Sequence, residues 1–116
     1  RALYFHDNGR LSFDAPTSTA AAAADFFVSD PANPVPYRPP NRGDLRSHRI
    51  QVVAGLLQDQ RFLDGRRDVR RWGSEPLAED VVVAGDIAAK LFVSTTGQDA
   101  DWVVKLIDVS PRNSNA

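Results

Sequence analysis

Hydrophobic residues fall in short runs along this chain, punctuated by glycine, proline and aspartate. The last long stretch, LFVSTTGQDADWVVKLIDV, runs from Leu91 to Val109. Leu91, Phe92 and Val93 are strand formers, and Thr95 and Thr96 suit a strand end. Gly97-Gln98-Asp99 is a turn signal, because glycine tolerates positive φ and aspartate bonds its own backbone. Beyond it, Trp102, Val104, Leu106 and Asp108 share one face of a period-two strand, and Val103, Lys105, Ile107 and Val109 the other. Both faces are mostly apolar, the pattern of an inner strand covered on both sides. The β-branched density at Val103, Val104, Ile107 and Val109 disfavours a helix.

The same reading extends upstream. Ala2–Phe5 and Arg10–Phe13 flank His6-Asp7-Asn8-Gly9, and Asn-Gly between short alternating runs predicts a hairpin. Asp14–Ala24 is a spacer of small residues. Its alanines, Ala20–Ala24, favour helix by propensity but are too few to hold one unpacked, so the spacer is expected to be a mobile loop. Asp25–Ser29 predicts a short strand. Asp30–Pro40 carries five prolines and must be irregular extended chain, since proline cannot donate to a ladder. Asn41–His48 is polar and expected to be exposed. Ile50–Leu57 is apolar and ambiguous between strand and short helix. Asp59–Asp68 is a charged loop with a bulge expected at Gly65. Val69–Trp72 predicts a short strand before a turn at Gly73–Pro76. Val81–Ala84 predicts another, ended by Gly85-Asp86, and Ile87–Ser94 and Trp102–Val109 complete the set. Short strands with this punctuation indicate an all-β sandwich. The chain divides into three regions: a hairpin and Pro-rich lead-in over 1–40, sandwich strands over 50–109, and a polar tail over 110–116.

Composition narrows the class. A chain of 116 residues is one domain or part of one. The hydrophobic fraction of 42% is too high for a disordered chain. A net charge of −1 supplies no basic surplus for phosphate, so nucleic acid is not the expected partner. No apolar run reaches bilayer length, and no membrane partner is expected. The absence of cysteine excludes disulfides and thiol catalysis. The opening RALYFHDNGR is no signal peptide. The absence of any methionine suggests a chain cut from a longer polypeptide.

Candidate chemistry is sparse. The G-x-S-x-G elbow is absent. His6 reads as a solvated turn residue. Ser47 and His48 are neighbours in sequence, a poor arrangement for placing a hydroxyl on an imidazole. Asp99 and Asp101 offer oxygen ligands for calcium, but no further acidic ligand stands at a fixed spacing. Asp99 is better read as shaping its turn. Arg61, Arg66, Arg67, Arg70 and Arg71 form the basic cluster, and interleaved Asp59, Asp64 and Asp68 predict an ion-paired loop rather than a nucleic-acid groove. Tyr37, Trp72 and Trp102 could form a sugar-stacking platform, although the alternation around Trp102 places it in a core. The residues therefore assign no catalytic, cofactor-binding or metal-binding side chain. One reading they allow is a free-standing β-sandwich module that binds carbohydrate or protein.

DQRFLDGRRDV, SEPLAEDVVVAG and LFVSTTGQDADWVVKLIDV together resemble the C-terminal domain of the CocE/NonD serine hydrolases, a domain similar to that of X-Pro dipeptidyl-peptidases. That family includes α-amino-acid ester hydrolases, cocaine esterase and glutaryl-7-aminocephalosporanic-acid acylases. The hairpin LYFHDNGRLSF, the loop VSDPANPVPYRP and Asp59-Gln60-Arg61-Phe62 occur in the same order in the ester-hydrolase branch. The resemblance implies a galactose-binding-like jelly-roll β-sandwich attached to an α/β-hydrolase domain of the same polypeptide. That other domain carries a Ser-Asp-His triad upstream of position 1 and forms an acyl-enzyme. This chain then contributes no catalytic residue and no cofactor. It completes the acyl pocket, with Leu56 and Leu57 in Ile50–Leu57 as the expected wall, and supports oligomer contacts. Export to the bacterial periplasm or the extracellular space is also implied. Departures exist. Arg66-Arg67-Asp68-Val69-Arg70 stands where relatives often read Arg-Pro-Asp-Val-Leu, and Ser110 replaces an aromatic. Relatives also continue well past Leu-Ile-Asp-Val. This chain is therefore expected to be the first part of the full domain, with its sheet edges covered in a homo-oligomer, as by strand exchange in a dimer, or by another chain.

Overall fold

The computed structural model describes residues 1–17, 24–37, 39 and 59–111. These form two units, Arg1–Asp80 and Val81–Ala116. The described residues are mostly non-helical, and their regular structure is an antiparallel pair, β1 (Tyr4–His6) and β2 (Arg10–Ser12). Fold class is thus all-β, as the patterning indicates. Tyr4 pairs with Ser12, Phe5 with Leu11 and His6 with Arg10.

The connection between β1 and β2 follows from Asn-Gly. Asn8 lies at φ 60°, ψ 30° and Gly9 at φ 69°, both left-handed. Asparagine and glycine enter that region at least cost, and the resulting turn matches the twist of the strands it joins. The Arg10 N–H closes the turn on the Asp7 carbonyl. His6 then bridges the hairpin to the segment after β2. Its Nε2 lies 2.8 Å from the Asp14 carbonyl oxygen and its Nδ1 lies 3.2 Å from Arg10 Nη2. A carbonyl only accepts and a guanidinium only donates, so this arrangement requires the neutral Nε2–H tautomer.

The free edge of β2 receives the chain at Gly73. The Leu11 N–H donates to the Gly73 carbonyl and the Gly73 N–H to the Gly9 carbonyl, both at 2.8 Å. One parallel bridge, Arg10 to Gly73, results. The strand expected at Val69–Trp72 is therefore reduced to a single contact just beyond it, and Gly73 belongs to that contact rather than to a turn. Trp72 packs on Phe5 with ring centroids 4.7 Å apart and planes tilted by 54°. Leu63, 6% exposed, is the buried hydrophobic side chain among the described residues.

Other expected strands are not formed as strands among the described residues. Asp25–Ser29, Val81–Ala84, Ile87–Ser94 and Trp102–Val109 have no ladder among the described residues. Their apolar side chains face outward: Val82 is 89% exposed, Phe92 94% and Trp102 42%, so the core position expected of Trp102 is not realised. The physical reason is that strand propensity expresses packing against neighbours. A two-faced apolar segment that finds no ladder gains little burial. The bend after Thr95 does form, with the Gly97 N–H donating to Thr95 Oγ1 at 3.0 Å. The Ala100 N–H donates to Asp99 Oδ1 at 2.9 Å, the turn-shaping part expected of Asp99. Most of the small-residue spacer lies outside the described residues.

Candidate functional site

The charged loop from Asp59 to Gly73 organises the first unit. Asp59 opens it: Oδ1 accepts the Arg61 N–H at 2.8 Å and Oδ2 accepts Arg61 Nε–H at 2.6 Å. A 3-10 turn over Arg61–Leu63 follows and buries Leu63. Asp64 (φ −62°, ψ 138°) and Gly65 (φ 80°) then make a type II turn, closed by the Arg66 N–H on the Leu63 carbonyl at 3.3 Å. A turn, rather than the expected bulge, is what Gly65 provides, because no strand runs through this segment to be bulged.

Arg66 is the hub. Its Nε donates to Asp68 Oδ1 at 2.8 Å and its Nη2 to Asp68 Oδ2 at 2.6 Å, a bidentate fork. The same guanidinium donates from Nη2 to the Asn33 carbonyl at 2.7 Å and from Nη1 to Asn33 Oδ1 at 3.3 Å. Asn33 closes its own turn, its N–H donating to the Asp30 carbonyl while Asp30 Oδ1 accepts the Ala32 N–H. Arg66 therefore ties the head of the Pro-rich segment to the charged loop. Both side chains of the fork are mostly covered, at 19% and 14% exposure. The hydrogen bonds from Arg66 outweigh desolvation and hold the Asp68 carboxyl below its ordinary range. Arg61 does the same to Asp59. Arg71 pairs with Asp64.

The ion-paired loop expected from interleaved charges is thus present. Arg61, Arg66 and Arg71 each take one of its aspartates. Arg67 and Arg70 have no ion pair among the described residues. An open cleft of about 370 Å³ lies between the hairpin turn and this loop, lined among others by Asn8, Asp25, Arg66, Val69, Arg70 and Trp72. A second opening, of about 420 Å³, is lined by Val28, Asn33, Arg67 and Asp68 among others.

Other candidates separate. Leu56, Leu57, Ser47 and His48 lie outside the described residues. His6 spends both ring nitrogens on Arg10 and the Asp14 main chain, so it is a hairpin bridge more than a solvated turn residue. Tyr37 sits in the Pro-rich segment and Trp72 on Phe5, while Trp102 belongs to the other unit. No group of three or more His, Cys, Asp or Glu converges as a metal site among the described residues. Sequence reasoning missed the tie between Asn33 and Arg66. Its visible signal was Asp30-Pro31-Ala32-Asn33, a turn signature with proline after aspartate. Which loop the turn meets is not written in it.

Residues 2–115 match the model of the X-Pro dipeptidyl-peptidase C-terminal non-catalytic domain. The chain belongs to that family. Among curated proteins, cocaine esterase from Rhodococcus sp. (strain MB1 Bresler) is 38% identical over 89 residues, covering 77% of this chain. The match covers 14% of that esterase, so the chain corresponds to a small part of its length. No solved structure matches.

Proposed function

We propose that this chain is the accessory β-domain of a CocE-type serine hydrolase whose α/β-hydrolase domain lies in the same polypeptide. The observation that carries the reading is the match of residues 2–115 to a domain described as non-catalytic. The likeness to cocaine esterase supports an ester as the substrate class of the whole protein. Both ring nitrogens of His6 are taken, by Arg10 and by the Asp14 carbonyl. In this reading the apolar segments of residues 81–111 are strands of a galactose-binding-like jelly roll. Their outward side chains, Phe92, Val82 and Val103 among them, are covered by the rest of the polypeptide or by a second copy. An acyl-transfer enzyme of the α-amino-acid ester hydrolase or acylase kind, exported from a bacterium, is the finer form of the proposal.

Leu56 and Leu57 wall the acyl pocket in this scheme. Replacing both by alanine in the intact enzyme is expected to change kcat/KM by about tenfold for bulky acyl groups and little for acetyl. A methylene in an apolar pocket is worth about 1–3 kcal/mol, which sets that size. Unchanged kinetics across a series of acyl groups would remove the pocket-wall assignment.

A further inference from the structure

The cleft between the hairpin turn and the charged loop holds two uncommitted, oppositely charged side chains. Arg70 lines it without an ion pair among the described residues, although three neighbouring arginines of the same loop are neutralised by Asp59, Asp64 and Asp68. Asp25 lines it too, and it has no hydrogen bond or ion pair among the described residues. The lining also includes apolar Val69 and aromatic Trp72, beside polar Asn8 and an Arg71 already paired with Asp64. The indole is backed by Phe5 at 4.7 Å, which gives the floor a packed support. Arg66, also on the lining, is already held by Asp68 and Asn33 and adds no free donor.

We propose that this cleft binds a small zwitterion with an apolar side chain, an amino acid or short peptide. A carboxylate pairs with the planar fork of Arg70, which matches its geometry bidentately. The ammonium pairs with Asp25, and the side chain covers Val69 and Trp72. A dianion such as phosphate is disfavoured because Asp25 repels it. A sugar platform is disfavoured because Tyr37 does not line this cleft. A volume of about 370 Å³ is at the small end for ligand pockets and suits one or two residues. The site is open, and solvent-exposed ion pairs are individually weak, so a Kd on the order of 1 mM is expected. It goes beyond the accessory role proposed above and does not depend on it.

Photo-crosslinking in the full-length polypeptide locates such binding directly. The probe is free leucine carrying a side-chain diazirine, and labelled peptides are mapped by mass spectrometry. Labelling is expected within residues 65–72 or beside Asp25, and free phenylalanine competes with it. The N-acetylated probe and the probe amide, each lacking one charge, should label these peptides at least tenfold less. Arg70→Gln and Asp25→Asn should each reduce labelling to a similar degree, at unchanged thermal midpoint. No labelling of these peptides overturns the proposal. So does equal labelling by the blocked probes, a comparison on the unaltered protein that needs no variant to fold. Competition by inorganic phosphate or methyl galactoside as strong as by phenylalanine overturns it as well, and identifies an anion or sugar site instead.

Discussion

Gly9 answers two demands at one position. Its φ of 69° lies where a side chain is strained, and a Cβ there would meet the Arg71 carbonyl oxygen at 3.0 Å. The hairpin turn and the docking of the charged loop therefore rest on the same missing methyl group. Gly9→Ala is expected to cost about 2 kcal/mol in denaturant unfolding, combining left-handed strain with displaced backbone. The aspartates of the charged loop give a pH dependence of fixed sign. Asp68 and Asp59 are held below the ordinary carboxylate range, the first through the hydrogen bonds of Arg66 and the second through those of Arg61. A depressed native value means that their stabilisation is complete above the ordinary carboxylate value. It is lost as pH falls from about 4 through the lowered native values. Thermal midpoints should therefore drop on acidification below about pH 4, and Asp68→Asn should flatten that drop.

At the scale of elements, legibility in the sequence followed locality. The hairpin was readable because Asn8-Gly9 specifies its own backbone, and the pairing of neighbours needs no distant information. The ion-paired loop was readable because its partners lie two to seven positions apart, from Arg66–Asp68 to Arg71–Asp64. The tie from Arg66 to Asn33 spans 33 positions and was not readable, since neither residue type demands the other. The strands expected at Val81–Ala84, Ile87–Ser94 and Trp102–Val109 show the opposite failure. Their alternation reports what each segment could bury, whereas a ladder exists only where a neighbour supplies it. Of the candidate site, the charge of Arg70 was visible as a departure from its relatives, but the cleft it lines needed the fold. The contact of Phe5 with Trp72 joins the hairpin to the charged loop. Trp72→Ala should thus lower stability by about 2 kcal/mol, through lost stacking and burial. Trp102→Ala should lower it far less in the isolated chain, and the difference is read by parallel denaturant titrations.

For the whole molecule, the contrast between the two units carries the functional argument. Arg1–Asp80 is knit by the hairpin, the bridge at Gly73 and the Arg66 fork. The described part of the second unit has no assigned strand and exposes Val82, Ile87, Phe92, Val103 and Val109. Apolar surface of this kind fits the proposed role of a domain that works against the rest of a larger protein. The chain's membership of a non-catalytic domain family gives the same direction. Hydrolysis of an activated ester, measured on the intact polypeptide and on the 116-residue chain side by side, tests this division of labour most directly. Turnover by the intact polypeptide, abolished by a serine-directed fluorophosphonate, with none by the isolated chain, is the expected result. Ester turnover by the isolated chain that disappears on His48→Ala would contradict it.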